Sequence, residues 1–299
     1  MISSPFTKKT LVISVLFSLV IVGLVGFFSV IDDRTKIVFC DVGQGDASYI
    51  RVKNQTDVLV DAGPGRQVLS CLGRHMPFYD RKIEIGIITH PQLDHFGGFL
   101  YIVDRYRIER IILPPVDNAD KAFRRLKNKA VSQKIAPLFL YAQDKLTING
   151  SKLSFLWPTK EFLAKTLIYD RPRQFGNRVL GASSLDLNHF SLVFVFEENG
   201  FKVLYTGDAT PTVLNSMAES ASLSSLQNID ILKIPHHGSK NGLTKNLLKL
   251  AEPGVSVISV GKNNPHGHPA KEVLEMLQAL KTKIRRTDEE GDIVFKLPN

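Results

Sequence analysis

Cysteine is scarce in this chain: there are two among 299 residues, Cys40 and Cys71. Their separation excludes the Cys-x-x-Cys spacing of a thiolate metal site or a dithiol redox motif. Cys40 ends an apolar run and Cys71 falls in a helical pattern. Buried free thiols are therefore the default, with a disulfide as the alternative if the domain is exported. No repeat of fixed period is present, which excludes a solenoid or a propeller. Low-complexity tracts are also missing, and 43% hydrophobic against 22% charged residues excludes a disordered chain. Acidic residues are absent before Asp32, and no charge of either sign occurs from Leu11 to Ile31.

That uncharged run of 21 residues is long enough to span a bilayer as one helix. A cleavable signal peptide has a shorter apolar core and an Ala-x-Ala site, and no such site follows here. The reading is a short cytoplasmic segment (1–10), a transmembrane anchor or uncleaved signal (11–31), and a globular domain from 36 to 299. Lys8 and Lys9 before the span place the remaining chain on the extracytoplasmic side of the cell membrane, single-pass, although Arg34 and Lys36 reduce the asymmetry. The net charge is +9, of which Lys8 and Lys9 supply two, leaving +7 for the rest. A basic surface suits a polyanionic partner, nucleic acid or anionic lipid, or serves solubility alone.

The domain is organised around Ile83 to Gly98. Ile83 to Thr89 reads as a buried strand that stops at His90-Pro91, since proline cannot donate to a ladder. His90, Asp94 and His95 then fall within six residues, closed by Gly97-Gly98. Imidazole and carboxylate at the mouth of a strand can share a metal or flank two, and the glycines let backbone approach closely. The same punctuation recurs. Gln55 to Val60 ends in Asp61, which reads equally as an active-site floor or a helix cap. Asn188, His189 and Ser191 precede an apolar strand, Lys202 to Leu204 runs into Thr206-Gly207-Asp208, and Ile229 to Ile234 runs into His236-His237-Gly238. Val255 to Val260 leads to Asn264-Pro265-His266-Gly267-His268. Strand ends on one rim converge in space while remaining distant in sequence, so the set points to a metal centre. Ala119 to Gln133 is an amphipathic basic helix (Lys121, Arg124, Arg125, Lys127, Lys129), either a solvated face or a nucleic-acid contact. Pro158 to Gly181 reads as an irregular basic lip with Lys160, Lys165, Arg171, Arg173 and Arg178.

These segments, with Asp41-Val42-Gly43-Gln44-Gly45-Asp46 and Arg286-Thr287-Asp288, stand in the order found in the metallo-β-lactamase superfamily. Within it, the chain resembles the extracellular hydrolase domain of ComEC-type competence proteins, which act in DNA uptake. The large multi-span channel region of those proteins has no counterpart here. The resemblance implies an α/β fold, an αββα sandwich, preceded here by the single N-terminal helix. It also implies a divalent-metal centre, two ions of zinc or manganese, with Asp94, His95 and His268 resembling the ligands of one ion. Asp208 resembles the bridging carboxylate and His90 a ligand of the other ion. His237, with His236 as substitute, either completes the second site or protonates a leaving group. Gln92 stands where the superfamily's His-x-His-x-Asp-His signature has its second histidine, which weakens that site for zinc. Asp61, Asn188, His189 and Ser191 are further neighbours of the site.

The activity so implied is a membrane-anchored, metal-dependent hydrolase, a phosphodiesterase or nuclease acting on DNA. Asp94 or Asp208 would orient the attacking water and a histidine would serve as general acid. Two other readings compete: a hydrolase of small esters or lactams, and a module that binds nucleic acid with little or no turnover. Gln92 keeps the last one open.

Overall fold

The computed structural model describes residues 8–31, 33–220 and 223–298. Lys8–Ile31 is a helix whose described side chains, Lys8 to Ile21, are exposed. Among the described residues no helix is long and apolar enough to cross a membrane. The expected 1–10 segment lies mostly outside the described residues.

From Lys36 the chain builds two seven-stranded sheets. The first holds β1 (Lys36–Phe39), β2 (Ala47–Val52), β3 (Thr56–Ala62), β4 (Lys82–Ile87), β5 (Arg107–Ile112) and β6 (Ala136–Leu138) in that spatial order. The second is entered through β7 (Lys145–Ile148) and β8 (Ser151–Trp157), and the chain then makes a separate hairpin, β9 (Ile168–Phe175) and β10 (Arg178–Ala182). It returns to the second sheet as β11 (Val193–Glu198), β12 (Phe201–Tyr205), β13 (Ile231–Lys233), β14 (Val255–Ile258) and β15 (Lys283–Arg286). The last strand, β16 (Ile293–Lys296), crosses back to pair antiparallel with β1. Each sheet changes from antiparallel to parallel pairing part-way across, at β3–β4 in one and at β12–β13 in the other. The parallel halves require crossovers, and helices supply them.

Strand alternation sorts the side chains into three apolar layers. Ile37 and Phe39 of β1 point into the space between the sheets, where they meet Phe194 of β11 and Val203 and Tyr205 of β12. Rings stack there, with Phe194 4.9 Å and Phe39 5.9 Å from Tyr205 between centroids. Val38, one residue out of phase, faces outward to pack with Val68, Leu72, Phe99 and Phe123 from the covering helices. Leu204 and Leu232 do the same on the other side against Leu214, Leu247 and Val273. Removing one central ring, such as Phe194, leaves a cavity between rigid sheets and costs about 3–5 kcal/mol. The α/β sandwich class read from the sequence is the observed one.

Two readings need correction. Cys40 and Cys71 are joined in a disulfide, with Cα atoms 5.8 Å apart, tying the end of β1 to helix Gln67–His75. Spacing gave no sign of it, because the pairing depends on that helix folding back over β1. The 158–181 region is also not irregular: it contains helix Lys160–Thr166, capped by Thr159, and the β9–β10 hairpin. In sequence Asp170, Arg171, Pro172 and Arg173 interrupt any apolar run there. The side chains of Arg171 and Arg173 lie outside the described residues.

Candidate metal centre

The segments that follow β3, β4, β12 and β13 meet at one rim. β4 ends at Ile87, and the chain continues through Ile88 and Thr89 to His90 and Pro91. The single turn Leu93–Phe96 then carries Asp94 and His95. This turn is pressed onto the loop after β3. Gly98 donates to Gly63 O at 2.8 Å, and a Cβ on Gly98 would lie 2.0 Å from Ala62 O. Only glycine permits that approach. Asp208 follows β12, and its backbone N–H donates to Ser191 Oγ at 3.2 Å. His236 and His237 follow β13 with φ of 50° and 53°. Left-handed backbone at two non-glycine residues costs about 1–3 kcal/mol each, and such strain concentrates at functional sites.

Asp94, His95, Asp208 and His237 offer ligand atoms that all lie within 4.8 Å of one another. His95 Nε2 is 3.3 Å from Asp208 Oδ1. His237 Nε2 is 3.3 Å from Asp94 Oδ2 and 3.5 Å from Asp208 Oδ2. His95, Asp208 and His237 are buried, while Asp94 keeps a third of its side chain exposed and forms the open side. His95 Nε2 and Asp208 Oδ1 are buried without a hydrogen-bond partner, as is His90 Nε2, whose ring centre lies 4.0 Å from that of His95. Unpartnered buried polar atoms on converging side chains are costly in an empty site and satisfied by an ion. Two carboxylates and two imidazoles fit zinc or manganese.

Electrostatics favour the ligating forms of the acids. Burial alone would raise Asp208, yet His237 and His95 hold it well below the usual carboxylate range. Asp94 is likewise held low against burial by His95 and His237. His90 is pushed down to about 4 by burial and by the neighbouring His95, which keeps it neutral with a free lone pair. Burial opposes protonation of His95, but Asp208, Asp61 and Asp94 around it raise its pKa well above the ordinary value.

Each inner histidine is backed on its other nitrogen. His95 Nδ1 lies 2.9 Å from Asp61 Oδ2, and Asp61 also accepts from Thr89 N–H and Thr89 Oγ1, both at 2.8 Å. Asp61 is therefore part of the floor of the site and does not cap a helix. His237 Nδ1 donates to Ser259 O at 3.1 Å and sits 3.2 Å from Asp46 Oδ1. Asp46 in turn pairs with the buried ammonium of Lys233 at 2.5 Å. The sequence reading did not place Asp46 or Lys233 in the site. Asp46 closes the Asp41–Asp46 motif, which offered a signal. Lys233 sits on an apolar strand and offered none beyond being a lysine where burial is expected.

The remaining candidates lie around this core. His268 does not join the four: its Nδ1 is buried without a partner and its ring centre lies 6.1 Å from that of His236. Its loop is braced by Asn264, which bonds both the N–H and the C=O of His268. His237, not His268, completes the group with Asp94, His95 and Asp208. His236 reaches within 3.8 Å of Asp208 Oδ2 and is partly exposed. Asn188 is buried with Oδ1 unpartnered, whereas His189 turns to Asp186 O at 3.2 Å. The Gln92 amide reaches Asp186 Oδ1 at 3.5 Å and also touches His90. Another His/Cys/Asp group, Cys71, His75 and Asp292, has no free thiol and is tied up by the disulfide and the Asp292 ion pairs.

The family model of the metallo-beta-lactamase superfamily matches residues 40–262. The chain belongs to this superfamily. Its members are in general metal-dependent hydrolases. ComE operon protein 3 of Bacillus subtilis is 25% identical over 295 residues, covering 92% of this chain and 35% of that protein. Recombination protein 2 of Haemophilus influenzae is 28% identical over 257 residues, covering 85% of this chain and 28% of that one. Both are ComEC-type competence proteins, and the chain spans about a third of their length. Among solved structures, the metallo-beta-lactamase fold protein YhfI from Bacillus subtilis superposes with a TM-score of 0.55 at 14% identity, over 88% of this chain and all of that one. CmlA, a diiron beta-hydroxylase from Streptomyces venezuelae, gives 0.53 at 15% identity over 89% and 54%. At such identities the likeness is one of fold.

Proposed function

We propose that this chain is a membrane-anchored, metal-dependent phosphodiesterase acting on DNA in a competence-like setting. The observation that carries the reading is the convergence of Asp94, His95, Asp208 and His237 on one rim. In this reading those four would hold one ion, and His90, Asp208 and His268 would be the side chains available to a second. A divalent ion bound there supplies Lewis-acid polarisation of a phosphoryl oxygen and a water that ionises near neutral pH. The chain's own contribution is to fix the ligands and to move the proton. Both nitrogens of His237 are engaged, Nδ1 towards Ser259 O and Nε2 within the cluster. Donating a proton to the departing oxygen therefore falls to His236, which is nearer solvent.

A DNA substrate is supported by the relatives and by charge. Asn118 donates to Pro91 O at 2.6 Å, which places the start of helix Lys121–Ser132 beside the rim. Lys121, Arg124, Arg125 and Asn128 share one open face of that helix. Rows of cations of this kind bind phosphates with strong salt dependence. The extracytoplasmic placement is supported by the Cys40–Cys71 disulfide, since such bonds persist in oxidising compartments.

The test is hydrolysis of single- and double-stranded DNA by metal-stripped protein resupplied with zinc or manganese. Activity should depend on the ion and vanish in Asp208→Ala. Turnover of a small ester or lactam without any on DNA would support the small-molecule reading. Tight DNA binding without turnover in either metal would support a binding module. Resistance of the full chain to carbonate extraction tests the anchor.

A further inference from the structure

Beneath the four-residue cluster lies a second group, Asp46, Asp61 and His95, whose ligand atoms also fall within 4.8 Å of one another. This inner layer already contains a cation. Lys233 Nζ is 2.5 Å from Asp46 Oδ2, with the two side chains only 4% and 7% exposed. The ammonium also donates to Ile234 O at 2.9 Å, and Thr206 Oγ1 fixes the Lys233 backbone by donating to its carbonyl at 2.7 Å. The void shared by Asp46, Asp61, Thr89, Tyr205 and Lys233 measures about 10 Å³, room for one water at most. Taking an ammonium and a carboxylate out of water costs several kcal/mol each, and apolar residues fill such a space at less cost. Stability alone does not account for a pair in such a place.

The geometry supplies a role. Asp46 has one oxygen on Lys233, and the other, Oδ1, has no aligned hydrogen-bond donor but lies 3.2 Å from His237 Nδ1. The Asp46 backbone is fixed on both sides: its N–H donates to Asp94 O at 3.1 Å and its carbonyl accepts from Gly63 at 2.7 Å. His237 stands on left-handed backbone; its Nδ1–H goes to Ser259 O at 3.1 Å, and Asp46 Oδ1 lies 3.2 Å from the same nitrogen as the one charged group on that side of the ring. We propose that Lys233 and Asp46 are positioning residues: the ammonium is the cation of the inner layer and holds Asp46, and Asp46, together with Ser259 O, holds the Nδ1 side of His237 so that Nε2 faces Asp94 and Asp208. The proposal rests on the outer cluster being the metal centre. It separates the two layers, one for a metal ion and one for a side-chain cation.

The experiment measures zinc affinity by calorimetry, and thermal unfolding without metal, for the full chain and three variants. Asp46→Asn and Lys233→Met are each expected to weaken zinc binding 10–100-fold, the range for a lost partner of a ligating histidine. The double variant Lys233→Met/Asp46→Leu leaves no unpaired buried charge, so its metal-free melting should return towards that of the parent. Its zinc affinity should stay 10–100-fold reduced, because Ser259 O alone is then left to hold His237, without the carboxylate beside Nδ1. A double variant with parental zinc affinity overturns the proposal and reduces the pair to core filling. Should the lysine variant not fold, the near-isosteric Asp46→Asn decides alone, and parental affinity there overturns it equally. A parent chain that binds no zinc, or an Asp94→Ala variant that binds it unchanged, removes the metal-centre reading first.

Discussion

Asp61 offers the sharpest test of how the centre is held. It ends β3 with φ of 55°, is 1% exposed, and accepts from three donors: Thr89 N–H, Thr89 Oγ1 and His95 Nδ1. Asp61→Ala strands all three in a buried site. Breaking one partner out of a buried charged pair costs about 3–5 kcal/mol, and each further unsatisfied donor adds about 1–3. That approaches the whole stability of an ordinary domain, so Asp61→Ala should unfold or fail to accumulate. Asp61→Asn keeps the shape and one acceptor oxygen, which can serve His95 or Thr89 but not both fully. Its expected loss is about 1–3 kcal/mol in urea unfolding of the metal-free protein. With His95 no longer firmly oriented, metal affinity should fall about 10–100-fold, or about 1.4–2.8 kcal/mol. Calorimetric titration of zinc into both proteins, beside the unfolding curves, reads both effects. An Asp61→Asn protein with parental stability and parental zinc affinity would refute the argument that this carboxylate orients His95.

Three other predictions concern the frame around the site. The Cys40–Cys71 bridge closes a loop with a sequence separation of 31. Chain entropy then gives about 3.5–4 kcal/mol, so Cys40→Ala/Cys71→Ala should lower the melting temperature by roughly 10 °C, and an unchanged melt would contradict the bridge. Burial would raise Asp292, but His75, the Asp41 N–H and Arg74 hold it down to about 2. Because the folded pKa lies below the unfolded one, this stabilisation is present above about pH 4 and is lost as pH falls towards 2. Arg74 is half exposed, which reduces the contribution to about 1–2 kcal/mol. Asp292→Asn should therefore flatten the acid limb of stability against pH without moving its plateau slope. Gly98→Ala must push apart Ala62 O and the turn carrying Asp94 and His95, costing at least about 1–3 kcal/mol and weakening metal binding. Gly73→Ala, in open space on helix Gln67–His75, should instead be neutral or stabilise by up to about 1 kcal/mol. Equal effects of the two substitutions in thermal melts would show that the close approach at Gly98 is unimportant.

Much was determined by the sequence alone. Apolar runs ended by glycine, proline and acid marked β3, β4, β12, β13 and β14, and the residues after those runs included all four members of the cluster. That is legible because strand propensity and strand termination are local, decided within a few residues by backbone sterics and side-chain alternation. Which strand ends meet is a different matter, set by pairing order across two sheets. His237 rather than His268 stands against Asp94 because β13 pairs with β12 while the 264–269 loop turns aside onto His236. The Asp46–Lys233 pair and the Cys40–Cys71 bridge likewise join residues from separate elements. No periodicity encodes such contacts, since burial makes a charged pair or a disulfide possible only after the chain has closed around it. The sequence by itself determined what chemistry stands at the strand ends; the tertiary structure decided which of those groups share one space, because that follows from sheet order and burial.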